Sequence, residues 1–356
     1  SPDELFSAAK EWADRHIPER QYLLPPATLL DPHRRLRVGY VSSDFNSHSV
    51  GHLIEPVFAH HGKSRLEVFC YYNQSRIDDV TMRLRQSADH WRNIAGKSDQ
   101  DVAKQIRGDG IDLLIDLSGH TAGNRLRVFT HKPAPVQATW LGYFNTTGLE
   151  AMDYIIADRF VIPPGEEGYY VERVMRLPHS YLCFSPADST LDQEPPPLPA
   201  LATRKVIFGC FNNPAKLTEE VIACWSKLLQ ALPEAGLYLK GKSFDDAETT
   251  RRYQGMFARH GVAPERLRLE GRSSRKELLA AYREVDIALD PFPYNGGTTT
   301  VEALWMGVPV VSLRGDRFVG RVGESLLTAA GLEELIANTE ETYIAIAAAL
   351  AADLPR

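Results

Sequence analysis

At 356 residues, the chain is too long for one ordinary hydrophobic core, and length alone favours two domains. With 44% hydrophobic and 24% charged residues, its make-up is that of a globular protein, which excludes disorder, collagen and coiled coil for the whole chain. A formal charge of −6 argues against a general nucleic-acid or membrane-surface binder and still leaves room for a local basic pocket that takes an anionic small molecule.

The first residues predict one helix over 1–20, because Leu5, Ala8, Ala9, Trp12 and Ala13 recur at helical spacing. This amphipathic, charged start is not a signal peptide, and the lack of an initial Met is what a cut inside a longer protein would leave. The stretch 21–35 is loop-like and ends in a basic cluster. Residues 36–41 (LRVGYV) predict a strand, followed by the polar turn SSDFNSHSVGH and a helix in HLIEPVFAHH. A second strand is expected over 66–72 (LEVFCYY), a helix over 99–107, and a third strand over 111–117 (IDLLIDL) that ends in SGHTAG. Further strands follow at 136–141 and 154–157. Strands alternating with helices imply parallel βαβ units.

Residues 186–203 hold a proline cluster with little helix or strand character and read as a linker. The expected organisation is a helix and connector over 1–33, a first lobe over 34–185, and a second lobe over 204–356. In the second lobe, strands are expected at 205–210, 237–239, 267–269, 287–289 and 308–313. Helices are expected at 218–231, 244–260, 274–282, 301–306, 321–330 and 339–352, with Ser273 or Ser274 capping the third and Glu277 at capping-box spacing. No apolar run reaches the roughly 18 residues of a membrane span. Cys70, Cys183, Cys210 and Cys224 lie in or beside apolar runs without a CxxC pair and read as reduced core residues of a cytoplasmic protein.

Four segments carry chemistry, and each follows a strand, where ligands of open α/β sheets bind. In DPFPYNGGTTTVEALWMG (290–307), Gly296 and Gly297 allow close backbone approach, and three threonines open a helix. Free N–H groups, hydroxyls and the helix dipole there favour an anion such as a pyrophosphate, and Glu302 one turn on suits sugar hydroxyls. The bland reading is a capped helix with polar turn residues. In FGCFNNPAKL (208–217), Lys216 is a point charge suited to a phosphate leaving group; taken alone it reads better as a surface lysine before a helix. DFNSHSVGH (44–52) and DLSGH (116–120) place His48, His52 and His120 at strand ends, where a histidine positions or deprotonates an acceptor hydroxyl. Asp116 would orient His120 or an acceptor backbone, and the general base is open between His48, Asp116 and the phosphate itself. Each histidine taken singly is more often a structural hydrogen-bonder. HSVGH is not a metalloprotease zinc motif, so no metal site is expected, and the absence of GxxxxGK[ST] and GxGxxG disfavours an NTPase or dehydrogenase.

Together, RLRVGYVSSDF…HSVGHL, IDLLIDLSGHTAG, APVQATWLGY…TTG…MDYIIAD, FGCFNNPAKL and LDPFPYNGGTTTVEALWMGVPVV resemble the catalytic region of the SPINDLY/O-GlcNAc transferase family, in order from about 34 to 340. The resemblance implies an α/β GT-B fold, two Rossmann-like lobes with a nucleotide-sugar in the cleft, preceded by tetratricopeptide helices of which 1–20 would be the end. It implies inverting, metal-independent transfer onto Ser/Thr hydroxyls of proteins, with UDP-GlcNAc as first-choice donor, no cofactor, and a protein or peptide as partner. Carried over by position, His48 lies near sugar and acceptor. Asp116 and His120 belong to the strand-end site, and Lys216 binds the diphosphate. Asn213 lies near the phosphates, Thr298 and Thr299 on the pyrophosphate with Gly297 and Thr300 beside them, Arg275 near the nucleotide, and Glu302 at the ribose.

The departures concern the base. Leu278 stands where animal O-GlcNAc transferases stack a histidine on uracil, Gly297 replaces their histidine before the threonines, and Glu302 replaces their ribose-binding aspartate. The TTTxE pattern is closer to plant SPINDLY, whose members use GDP-fucose, so protein O-fucosylation is the alternative. WLGYFNTTG lacks the proline and glycine that many members carry after Tyr143, and the inter-lobe insert of animal enzymes is absent. A non-catalytic scaffold and a cytoplasmic N-glucosyltransferase are the remaining readings.

Overall fold

Two all-parallel sheets, one in each of two compact units, organise the protein: Ser1–Ser189 and Thr190–Arg356. The computed structural model describes residues 1–17, 34–185 and 197–353.

The first unit runs α1 (Pro2–His16), β1 (Leu36–Ser42), α2 (Ser49–His60), β2 (Leu66–Tyr72), α3 (Asp79–Ser87), β3 (His90–Asn93), α4 (Asp99–Gly108), β4 (Leu113–Asp116), α5 (Leu126–Thr130), β5 (Val136–Thr139), β6 (Tyr154–Asp158) and β7 (Arg173–Leu177). Its strand order is β3-β2-β1-β4-β5-β6-β7. A parallel sheet is covered on both faces, so its central strands are continuous apolar runs rather than alternating ones. Accordingly Val38 of β1 pairs with Val68 on one side and Leu113 on the other. One core cluster joins Val41, Phe69, Tyr71 and Leu114 to Val102, Ile106 and Phe129, and Ala13 of α1 belongs to it. α1 starts with a capping box between Ser1 and Glu4 and docks through this apolar stripe.

The second unit runs α6 (Pro199–Thr203), β8 (Ile207–Cys210), α7 (Glu219–Ala231), β9 (Gly236–Lys240), α8 (Ala247–Arg259), β10 (Leu267–Glu270), α9 (Arg275–Ala281), β11 (Ile287–Leu289), α10 (Thr298–Trp305), β12 (Val310–Leu313), α11 (Val322–Ala329), β13 (Ile336–Ala337) and α12 (Glu340–Ala352). The order β10-β9-β8-β11-β12-β13 is that of a Rossmann sheet. Phe208, Leu237, Leu239, Trp225 and Leu228 form its core beneath α7. Thr218 caps α7, and Ser274 with Glu277 closes the capping box on α9. In both units the order reverses beside the first strand, between β1 and β4 and between β8 and β11. The loops after those four strands therefore lie at topological switch points.

Several elements differ from expectation. α3, β3, α5, β7 and β13 form where none was foreseen. β3 is a polar edge strand (HWRN) and β13 is only two residues long, so neither carries an apolar run. Of the expected linker, 186–196 falls outside the described residues and 199–203 forms α6, because Pro199 starts a helix and the Ala200 N–H finds the Asp286 carboxylate at 2.9 Å. α10 begins at Thr298 rather than 301. Residues 18–20 of the expected first helix, and the connector up to residue 33, lie outside the described residues. Cys70, Cys210 and Cys224 are buried, but Cys183 is exposed.

Candidate functional site

In the second unit, the loop after β8 and the loop after β11 meet through Lys216. Its ammonium donates to Asn212 Oδ1 at 3.0 Å and to the Asn295 carbonyl at 2.8 Å, and lies 4.2 Å from the centre of the Tyr294 ring. Burial lowers its pKa to about 8, against the pull of the nearby Asp290 carboxylate. A lysine held this way is a desolvated charge aimed from a rigid loop. Asp290 itself is fully buried, accepts from the Gly296 N–H at 2.6 Å and the Ser312 hydroxyl at 2.6 Å, and is pushed up to about 6 by burial. The loop it ties down has no room for a side chain at Gly296, where a Cβ would stand 2.6 Å from Thr299 Oγ1 and 2.7 Å from Thr300 Oγ1.

The start of α10 follows directly. Gly297 occupies the N-cap and supplies no side-chain cap. The Thr299 hydroxyl is buried and has no hydrogen-bond partner among the described residues. An uncapped helix start beside an orphan hydroxyl is a place for an anion's oxygens. Thr300, expected at the ligand, turns inward and is buried. Asn213, also expected there, spends its side-chain oxygen on the Ala215 N–H, while its neighbour Asn212 orients Lys216.

Arg275 and Glu302 come together, but as an ion pair. Arg275 Nη1 donates to Glu302 Oε1 at 2.6 Å, and Glu302 is only 2% exposed. Burial raises the Glu302 pKa against the Arg275 charge. The guanidinium thus neutralises a buried carboxylate, and any ribose contact of Glu302 would be shared with it. The same unit holds a cavity of about 350 Å³ whose walls include Phe211, Asn212, Lys240, Lys242, Arg272 and Leu278. Sequence reasoning missed its cations, although Lys240 ends β9 and Gly241-Lys242 follow it, just as the recognised motifs sit at the ends of their strands. Lys240 is buried and pairs with Glu270, which also accepts from the Tyr238 hydroxyl at 2.5 Å.

In the first unit, His48 is the N-cap of α2. Its Nδ1 accepts from the Val50 N–H at 3.2 Å and stands 3.9 Å from Asp44. An Nδ1 that accepts leaves the neutral ring's proton on Nε2, so this histidine presents a donor. His52, one turn on, is buried. Asp116 at the end of β4 has no exposed surface. It accepts from the Ser118 N–H at 3.2 Å, the Gly119 N–H at 2.7 Å and the Thr139 hydroxyl at 2.9 Å, and burial pushes it up to about 6. The expectation that Asp116 orients His120 or works on an acceptor directly is therefore corrected: with its oxygens engaged below the surface, it shapes the SGH turn. His120 is half-buried, with Nε2 2.9 Å from the Thr147 carbonyl and its pKa lowered by burial.

Two Rossmann-like sheets, one of which carries a desolvated lysine and an uncapped helix start at its switch point, define the class as a two-unit α/β protein. The sequence matches glycosyl transferase family 41 over residues 16–187 and 198–356. The chain belongs to that family. It is 38% identical over 359 residues to the probable UDP-N-acetylglucosamine–peptide N-acetylglucosaminyltransferase SPINDLY of Petunia hybrida, covering 99% of this chain and 38% of that protein. The corresponding protein of Solanum lycopersicum is 39% identical over 361 residues, with the same coverage of 99% and 38%. A solved lysine-to-methionine variant of the Thermobaculum terrenum O-GlcNAc transferase superposes with a TM-score of 0.93 at 44% identity, covering 100% of this chain and 67% of that one. The chain thus spans 38% of the length of the plant relatives.

Proposed function

We propose that the chain is the catalytic part of a protein O-glycosyltransferase that moves N-acetylglucosamine from UDP-GlcNAc to Ser/Thr hydroxyls, with inversion and without a metal. The observation that carries this is the anion site of the second unit, where Lys216, the uncapped start of α10 and the orphan Thr299 hydroxyl gather on two switch-point loops. A diphosphate leaving group develops charge as the bond to the sugar breaks, and preorganised donors in a dry site stabilise that charge most. The relatives' names, which specify a UDP-sugar donor and a peptide acceptor, support the same reading.

In the proposed reaction an acceptor oxygen bonds to the anomeric carbon from the face opposite the diphosphate. The carbon–oxygen bond to phosphate breaks, and its electron pair leaves with the nucleotide beside Lys216. His48, presenting Nε2–H, orients an oxygen. Asp116 is enclosed by its own turn, so the acceptor proton does not go there. The second reading, GDP-fucose, draws on the run Thr298-Thr299-Thr300-x-Glu302 and on Leu278 in the cavity wall. Among the described residues no helix is long and apolar enough to cross a membrane, and we place the enzyme in the cytoplasm.

Calorimetric titration with UDP, GDP, UDP-GlcNAc and GDP-fucose, with chelator present, tests the donor, and mass spectrometry of an acceptor peptide tests the transfer. Tighter UDP binding that survives chelation and an added N-acetylhexosamine are expected. A preference for GDP with an added deoxyhexose would overturn the donor, and an unmodified peptide the reaction.

A further inference from the structure

His120 is held from three sides within the first unit. Its Nε2 faces the Thr147 carbonyl at 2.9 Å. The Tyr143 ring meets it edge-on with centroids 5.3 Å apart. The Trp12 ring, from α1, meets it edge-on at 4.6 Å and 85°. A carbonyl only accepts, so Nε2 carries the proton and the neutral ring keeps its lone pair on Nδ1. This is the reverse of His48, whose Nδ1 is taken by a backbone N–H.

The carbonyl that sets this tautomer is itself fixed from below. Glu172, 3% exposed, accepts from the Thr146 hydroxyl at 2.6 Å, from the Thr147 N–H at 2.7 Å and from the Thr147 hydroxyl. The Thr146 hydroxyl in turn accepts from the Gly148 and Val171 N–H groups at 3.2 and 3.1 Å. α1 presses on the same loop: Gly148 has a φ of +74°, and a Cβ there would stand 2.3 Å from the Ala9 carbonyl oxygen. Only glycine suits both the left-handed backbone and that approach. Ring contact and loop contact thus come from one helix, to one histidine. Among the described residues, the ionisable groups near His120 are Glu172 behind Thr147, Asp116 within the turn and the Tyr143 phenol, and the His16 ring lies 5.2 Å from that of Trp12.

We propose that Trp12 and Glu172 are positioning residues that lock His120 as its Nε2–H tautomer, so that Nδ1 takes the proton of the attacking hydroxyl. The step balances. The oxygen–carbon bond forms, the carbon–phosphate oxygen bond breaks with its electron pair on the nucleotide, and the proton passes to Nδ1 and then to solvent. This rests on the glycosyl-transfer reading above, and it makes α1 a working part of the site rather than a neighbour of it. A ring kept neutral by burial is free to accept a proton at ordinary pH.

The test uses the full chain and three variants, Trp12→Ala, Trp12→Phe and Glu172→Gln, with two readouts. Nitrogen-resolved NMR of His120 reports tautomer and titration directly. Steady-state kinetics separate kcat from the KM for donor. The parent is expected to show the Nε2–H form. Trp12→Ala and Glu172→Gln should both mix the tautomers and lower kcat by about tenfold with donor KM unmoved. Trp12→Ala, which unburies the ring, should raise the His120 pKa toward the ordinary value, whereas Glu172→Gln, which removes a charge that raises it, should lower it further. Trp12→Phe, which restores an edge, should recover most of the loss. A parent in the Nδ1–H form would overturn the proposal. So would folded variants with an unchanged tautomer, or a changed tautomer with unchanged kcat. If the parent transfers no sugar at all, the functional reading fails, while the NMR outcome still decides whether Trp12 and Glu172 hold the ring.

Discussion

The two units solve the same local problem with the same device and then diverge. Asp116 ends β4, Asp290 follows β11, and each of those strands lies beside the first strand of its unit's sheet. Both carboxyls are fully buried. Each accepts from a glycine N–H of the loop ahead, Gly119 or Gly296, and from a hydroxyl of the next strand over, Thr139 or Ser312. Burial pushes both up to about 6. Each clamps a switch-point loop into one shape. What differs is what the clamped loop holds. In the second unit it receives a cation, Lys216, and an uncapped helix start. In the first it holds a neutral imidazole among aromatic rings. One scaffold thus presents a cation beside free donors in one unit and a neutral imidazole in the other, so function is read from the loops, not from the fold.

The largest expected break in this comparison is Lys216→Ala. It removes the cation and leaves the Asp290 clamp in place. Turnover should fall by about 10²- to 10³-fold, the usual loss when a charge-stabilising donor is removed. Because the Lys216 pKa is lowered to about 8, activity of the parent should also decline as pH rises through that value and the ammonium loses its charge. Rate profiles of parent and variant check both points. A variant with undiminished turnover would deny the second unit its charge chemistry.

Next in size is the clamp itself, probed by Asp116→Asn and Asp290→Asn. The folded-state pKa of each, about 6, lies above the ordinary 3.8. The folded chain keeps a proton that the unfolded chain has released. The resulting stability is present in full below pH 4 and lost as pH rises through 6. A rise of that size corresponds to about 3 kcal/mol for each carboxyl. Denaturant titrations from pH 4 to 7 should show the parent losing stability relative to either variant across that window. Similar losses would confirm one device used twice. A flat difference for one of them would show that only the other unit is clamped this way.

How far this was legible in sequence follows the range of the interactions involved. Strand ends, the capping boxes and the segment around Thr298 announce themselves locally, because apolar runs, glycines and small polar residues are adjacent in the chain, whereas Lys216, which alone reads as a surface lysine, is buried by a loop 79 residues away. The pairing of Arg275 with Glu302 was not legible. Two residues each read as ligand contacts satisfy one another, and only tertiary structure shows that a buried carboxylate has claimed the guanidinium. Trp12 reads as core because its helical spacing is that of core. Its contact with His120 depends on where α1 docks, which periodicity does not encode. Glu172 carries no signal at all: a lone acid before β7 becomes an anchor only when the loop from Thr146 folds onto it. Cys183 fails in the opposite sense, an apolar neighbourhood in sequence that is surface in space.

The smallest effect separates structure from chemistry in the first unit. His48 caps α2 with its ring nitrogen, where a serine, threonine, aspartate or asparagine is usual, and the second unit follows that usage with Thr218 and Ser274. His48→Ala removes both the cap and the ring, and should lower stability by about 1 kcal/mol, the typical worth of an N-cap. His48→Asn keeps a capping oxygen and removes the imidazole, so thermal melts of Asn variant and parent should nearly coincide. If the ring's Nε2–H orients an oxygen in the reaction, both variants lose turnover while nucleotide affinity holds, because a group acting beside the acceptor has little to do with a diphosphate held in the second unit. Full turnover in His48→Asn would reduce His48 to a helix cap. Equal losses of turnover and nucleotide affinity would place it against the donor instead. Either result would leave His120 as the sole histidine whose tautomer suits proton acceptance in the first unit's two switch-point loops.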